Sequence, residues 1–224
     1  MMPILGKSML ARVIERTRLA LTLDDVVVAT TVEPGDDIVA IEAARSGAGV
    51  FRGSEHDVLD RVVGAAKAHN ATVIVEITGD CPLTDPSQID KVVTDFRLGG
   101  ADFVANIHPH TTPRGTDVRV FASDALAEIN ERSTDAADHE HVSLHFWEHP
   151  ERYRLRNVST PSRDGATDVR LTVDTEDDMA LVRAIYGALY PLNPAFSLDD
   201  VLDFLEQQPA LRDLNRDVVQ RSVR

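Results

Sequence analysis

Apolar residues fall into two alternating spacings along this chain. Short runs of β-branched and aliphatic residues predict strands at 25–30, 49–52, 73–77 and 101–107. Between them, steps of three and four predict amphipathic helices. Leu10, Val13, Ile14 and Leu21 mark the first, behind Ser8 as cap. Residues 34–46 make the second, with Ile38, Val39 and Ile41 inward and Gly47 at the exit. Residues 57–69 make the third, with Val58, Leu59, Val62, Val63 and Ala66 on one face. The fourth runs over 86–98 and stops at Gly99-Gly100. Asp85, Pro86 and Gln88 stand at its cap, first and third positions, the order of a capping box. Strands alternating with helices predict an α/β fold with a mostly parallel sheet and helices on both faces. Right-handed crossovers put the strand tips on one side.

The rhythm breaks over 107–165. A strand is predicted at 117–121, and a helix capped by Ser123 through Leu126 and Ile129. Residues 133–140 read as a polar loop, 142–147 as helical and 153–158 as a strand. This stretch holds six of the chain's eight histidines and reads as an insertion on the strand-tip side of one domain spanning 1–224. The regular pattern then returns with a strand at 168–173. Thr175 with Asp178, and Ser197 with Asp200, form capping boxes ahead of two more helices. The tail from Pro209 is charged and is expected to fray.

Two apolar strands end alike, one at Asp80 and one at Asp174, each just before a capped helix. Ligands of open α/β sheets bind beyond the carboxyl ends of strands. Two carboxylates converging there can hold Mg²⁺ by oxygen, leaving positions for phosphate and water. An isolated Gly-Asp more often only shapes a turn. Metal-held phosphates are most of what a phosphoryl or nucleotidyl transfer requires.

Composition narrows the field. The 224 residues suit one well-buried domain, with 43% apolar and 27% charged residues. Acidic residues outnumber basic ones, 37 to 23, and no basic stripe exists, which argues against nucleic acid as a partner. No apolar run is long enough for a membrane span, and Lys7, Arg12, Glu15 and Arg16 interrupt any signal-like start. With one cysteine there is no intrachain disulfide, so a cytoplasmic setting is expected.

The motifs VVVATT (26–31), VFRGSEHDVLDR (50–61), ITGDCPLTDP (77–86), GTDVRVF (115–121), HEHV (139–142), RLTVDTEDD (170–178) and NPAFSLDDVL (193–202) stand in order over nearly the whole chain. Together they resemble the cytidylyltransferases that make CMP-activated sugars. The branch named for spore-coat polysaccharide synthesis is nearest, beside acylneuraminate and 3-deoxy-manno-octulosonate cytidylyltransferases. The resemblance implies a Rossmann-like nucleotidyltransferase that moves CMP from CTP to an acidic or otherwise unusual sugar, with Mg²⁺ on Asp80 and Asp174. A sugar hydroxyl would attack the α-phosphorus, and pyrophosphate would leave. The nucleotide is then expected near Gly6, Lys7, Arg52, Asp57, Thr78 and Gly79, with Arg61 shaping that pocket. The insertion resembles the family's sugar-binding and homodimer-forming part, with Arg114, Asp117, His139, Glu140 and His141 as sugar contacts.

Two features depart from the family. A strand and a Gly/Arg/Lys-rich phosphate loop are expected ahead of MMPILGK. Without them the sheet should show an unpaired edge and CTP should bind poorly. Arg119 stands where an acidic residue is expected, and either alters sugar choice or faces solvent. Four plainer readings also stand. Arg52 serves equally well as a surface arginine. His139, His141 and His145 lack zinc-ligand spacing. Cys81 is a small buried filler, and Phe146 and Trp147 pack core or an interface. Another nucleoside triphosphate or acceptor, or a non-catalytic homologue, remain the alternatives.

Overall fold

In the computed structural model, which describes residues 2–159 and 166–219, the chain opens with a hairpin. β1 (Pro3–Ile4) and β2 (Lys7–Ser8) pair antiparallel around Leu5 and Gly6, both at positive φ. Ser8 caps α1 (Met9–Thr17) through the Ala11 N–H. Leu21 lies beyond the helix and is exposed, because α1 ends a turn before it. β3 (Val27–Thr31) and β4 (Gly49–Gly53) pair in parallel around α2 (Asp37–Arg45). A 3-10 turn at Pro34–Asp36 delays α2 and turns its register. Ile38 and Ile41, expected inward, are exposed, and Ala43 is the buried residue.

α3 (Val58–Ala68) is capped by Asp57 and leads to β5 (Val73–Glu76). β5 is half-buried rather than buried, with Val73 exposed, because it ends its sheet. α4 (Pro86–Arg97) follows, then β6 (Phe103–Ala105), shorter than expected. Asp85 caps α4 through the Ser87 N–H, the second helical position rather than the third that a capping box uses. β7 (Arg119–Ala122) runs straight into α5 (Ser123–Arg132), so Ser123 is a helical residue and no side chain caps it. The expected polar loop contains α6 (Ala136–Glu140), capped by Asp135. α7 (Leu144–Glu148) and β8 (Leu155–Asn157) complete the insertion, whose last residues, 160–165, lie outside the described ones.

The expected strand at 168–173 is reduced to one bridge, Arg114 to Arg170, behind a 3-10 turn at Ala166–Asp168. Its alternation is real, but its hydrogen bonds go to two different segments instead of one ladder. Leu171 N–H binds Arg114 O at 2.7 Å and Val173 N–H binds Asp80 O at 2.9 Å. α8 (Glu176–Leu189) and α9 (Leu198–Glu206) both begin with the predicted capping boxes. α10 (Pro209–Arg212) and a buried Asn215 continue the tail, which is anchored where fraying was expected; 220–224 fall outside the described residues.

The sheets are mixed, with helices on both sides. The expected parallel pairing holds for β3–β4 and β6–β8. β7 runs antiparallel between β5 and β6, giving the order β5-β7-β6-β8. Among the described residues β3 pairs only with β4 and β5 only with β7, so each keeps an open edge. The aromatic core under the insertion stacks Phe146 on Phe103 and Phe121. A second core joins Ile4 and Leu83 to α8 and α9.

Candidate functional site

The turn after β5 presents Thr78, Gly79 and Asp80, and the backbone that follows them is pinned at Pro82, Thr84 and Asp85. Tyr186 O–H donates to Pro82 O at 2.6 Å. Arg16 Nε donates to Thr84 O at 2.7 Å. Asp85 takes the Ser87 N–H at 2.7 Å with one oxygen and the Leu198 N–H at 2.5 Å with the other. Four separate elements thus fix one turn, so the side chain of Asp80 stands on rigid backbone. Arg16 and Arg12 are almost wholly buried on α1. Their guanidiniums lie 4.2 Å from the Phe196 and Tyr190 ring centres, respectively. In the sequence both stand only as charges that interrupt a signal-like start. Arg12 donates nearby, to Ile4 O and Leu5 O, whereas the carbonyl partners of Arg16, Thr84 and Phe196, are distant in sequence and no local pattern signals them.

Asp174 reaches the same mouth because the Val173 N–H is bonded to Asp80 O. Behind it lies a buried network. Arg170 Nε donates to Asp178 Oδ1 at 3.0 Å, Asn215 Nδ2 donates to the same oxygen at 2.7 Å, and the N–H groups of Asp174 and Thr175 bind Asp178 Oδ2 at 3.0 and 2.9 Å. Burial works against the Asp178 charge, but Arg170 and Asn215 outweigh it and hold the carboxyl below its usual range. Arg170 also pairs with one oxygen of Asp174. Asp80 accepts a weak bond from the Cys81 thiol at 3.4 Å through Oδ1. Each aspartate therefore keeps one uncommitted oxygen among the described contacts.

No group of three His, Cys, Asp or Glu side chains among the described residues could hold a metal. Two carboxylates with no third protein ligand fit Mg²⁺, which retains waters and substrate phosphates, and do not fit a structural zinc site. Cys81 is buried, and burial together with Asp80 pushes its thiol up, so it is the filler expected and no nucleophile.

The other predicted residues divide. Gly79 has open space around it, since an added Cβ would meet nothing within 4 Å. Thr78 Oγ1 lies 3.0 Å from the Cys81 sulfur. Lys7 pairs with Glu15 at 3.0 Å, beside the Gly6 turn. Arg52 spends its guanidinium on Thr31 O, Glu33 O and Asp37, tying β4 to the loop before α2. Arg61 donates to Ser54 O. Asp57 and His139 are joined to each other, 2.9 Å apart, and the second ring nitrogen of His139 lies 3.0 Å from Ser133 O. The ring faces two acceptors, and Ser133 O and Asp57 raise its pKa above the ordinary histidine value. His139 therefore links α6 to α3. Glu140 is exposed and His141 half-buried on α6. Histidines 139 and 145 face carboxylates, with His145 Nδ1 2.7 Å from Asp138.

The loop carrying Arg114 and Asp117 runs against the segment that leads to Asp174, with the Arg114 backbone bonded to Val169 and Leu171. Gly115 allows this: its φ is +93°, and its backbone passes so close to Leu171 and Thr172 that no side chain fits. Asn106, fully buried, closes the neck of this loop by donating to Thr116 O at 3.0 Å and accepting from Val118 N–H at 2.8 Å. Arg119 does not face solvent; it lies between Glu76 and Asp117, at 3.6 and 3.1 Å.

Known proteins match this chain over most of its length. The family model described as cytidylyltransferase matches residues 1–212. The spore coat polysaccharide biosynthesis protein SpsF of Bacillus subtilis is 32% identical over 187 residues, which cover 83% of this chain and 76% of that one. The 3-deoxy-manno-octulosonate cytidylyltransferase of Solibacter usitatus is 29% identical over 229 aligned positions, covering 83% of this chain and 86% of that one. The solved structure of a cytidylyltransferase from Leptospira borgpetersenii superposes with a TM-score of 0.89 at 28% identity, over 99% of this chain and 91% of the other.

Proposed function

Since this chain belongs to the cytidylyltransferase family, we propose that it moves CMP from CTP to a hydroxyl of an acidic or otherwise unusual sugar, releasing pyrophosphate for surface polysaccharide synthesis. The observation that carries the reading is the hydrogen bond from Val173 N–H to Asp80 O, which brings the backbone of Asp80 beside that leading into Asp174. Asp80 and Asp174 would hold Mg²⁺ there, and the bound ion supplies positive charge to the phosphate oxygens. The chain's own residues position the reactants. The pinned turn fixes Asp80, and Asp178 with Arg170 fixes the backbone before and after Asp174. Gly79 leaves an open approach for the nucleotide, and Arg114 and Asp117 face the acceptor. Pairing of two copies through the insertion, in the cytoplasm, belongs to the same reading.

The test follows pyrophosphate release with each nucleoside triphosphate against a panel of sugars. Release with CTP and a sugar supports the proposal; release only with another triphosphate refutes the cytidylyl assignment. A second reading is a fold that has kept its shape but holds CTP weakly. Calorimetric titration with CTP and Mg²⁺ separates the two, since micromolar binding excludes the second.

A further inference from the structure

The end of β5 and the start of β7 carry a polar cluster that phosphate chemistry leaves unused. Glu76 and Arg119 are direct cross-strand partners. Arg119 Nη1 lies 3.6 Å from Glu76 Oε1, and Nη2 lies 3.1 Å from Asp117 Oδ2. Each carboxylate thus spends one oxygen on the guanidinium. The remaining oxygens, Glu76 Oε2 and Asp117 Oδ1, are buried without a hydrogen-bond partner, and so is His110 Nδ1.

His110 Nδ1 and Asp117 Oδ1 are 3.9 Å apart. That is too far for a hydrogen bond between them, and one oxygen atom placed between them reaches both. A buried acceptor with no donor costs about 1–3 kcal/mol, so the arrangement gains most from a ligand that brings O–H groups. Burial holds the His110 ring below its ordinary pKa, which leaves it neutral and able to donate or accept.

The charge balance selects against an anion here. Two carboxylates already surround the one guanidinium, and the charge of Asp80 also reaches Arg119. The positive charge of Arg119 is therefore already balanced, and a sugar carboxylate would meet net negative charge here. Arg114, exposed and in no ion pair among the described residues, is where an acidic substituent belongs.

We propose that Glu76, His110 and Asp117, held around Arg119, form a subsite that takes a neutral, hydroxyl-bearing face of the acceptor sugar. One hydroxyl donates to Asp117 Oδ1 and uses His110 Nδ1 as its second partner. Another donates to Glu76 Oε2. That the ligand is the acceptor of cytidylyl transfer rests on the function proposed above; that the subsite binds hydroxyls does not.

The experiment uses nucleotide-free protein carrying ¹³C-labelled histidine. The His110 ring resonance is followed while methyl hexosides and pentosides, their monodeoxy analogues and simple carboxylates such as acetate are titrated in. Expected is a glycoside that shifts His110, with affinity reduced about tenfold by Asp117→Asn or by loss of one hydroxyl. Acetate leaves the resonance in place. Glu76→Gln is the companion variant should Asp117→Asn disturb the backbone spectrum. The inference is overturned if no glycoside moves His110, if the variants bind as tightly as the parent, or if acetate competes for the site. Glycoside binding without pyrophosphate release from any triphosphate would leave the subsite standing and remove the transferase reading instead.

Discussion

Gly115→Ala tests whether the mouth is built by close approach of two backbones. At φ +93° an L side chain costs about 1–2 kcal/mol by itself. The added Cβ would also stand 2.4 Å from Thr172 N and 2.6 Å from Leu171 C, both main-chain atoms that cannot swing aside. The loop must therefore withdraw and lose the 2.7 Å bond from Leu171 N–H to Arg114 O and the 3.3 Å bond from Arg114 N–H to Val169 O. Leaving those groups unpaired costs about 1–3 kcal/mol each. A total of about 3–8 kcal/mol is expected, a large share of a typical domain's 5–15. For a chain of this size the lower bound alone lowers Tm by about 10 °C. Urea unfolding followed by circular dichroism measures it, with a shifted midpoint at unchanged slope. Gly79→Ala is the control, because its Cβ meets nothing and its φ is not positive; its stability should stay within about 0.5 kcal/mol of the parent. A Gly115→Ala loss below about 1 kcal/mol would refute the close-approach argument.

Asp80→Asn or Asp174→Asn should abolish pyrophosphate release while leaving the unfolding midpoint nearly unchanged; near-parental turnover in either removes that residue from the site. Asp178→Ala should destabilise by about 3–5 kcal/mol in urea unfolding, because Arg170 would remain buried beside a missing partner. Asp178 is depressed when folded, so its contribution is present above the ordinary carboxyl pKa and lost as pH falls through the folded one. Stability should therefore drop on acidification, and less steeply in Asp178→Asn. His139 has the opposite sign. Its folded pKa is raised, so its contribution is full below about pH 6.5 and fades as pH rises through the folded value. A thermal-unfolding series from pH 6 to 9 should show a decline that His139→Gln lacks.

The parts of the fold legible from sequence were those fixed within a few residues. Thr175 with Asp178 and Ser197 with Asp200 cap the helices as read, since each box is complete in four positions. The backbone neighbourhood of Asp80 and Asp174 could be anticipated because both follow an apolar run and precede a cap. What escaped was set by distant partners. Residues 168–173 alternate like a strand, but the segments passing them offer bonds to single residues, so no ladder forms. Ile38 and Ile41 have helical spacing, and the turn at Pro34 rotates that face outward. His139 reads as a sugar contact from its motif, and only the fold places Asp57 beside it. Arg119 departs from the family pattern, and no local rule reveals the two carboxylates that enclose it.

The buried arginines of α1 also bear on the order in which the chain can mature. Arg16 Nη2 bonds Phe196 O and Arg183 Nε bonds Pro3 O, each across 180 positions of sequence. On a ribosome the first helix emerges long before either partner; Thr84 O, which accepts from Arg16 Nε, comes out earlier and leaves Nη2 waiting for Phe196. The opening helix can pack early on α2 and α4, but its last bonds form only after residue 196 is made. Synthesis of residues 183–196 is thus the step that gives Pro3 and Arg16 their last partners and completes the support of the turn bearing Asp80.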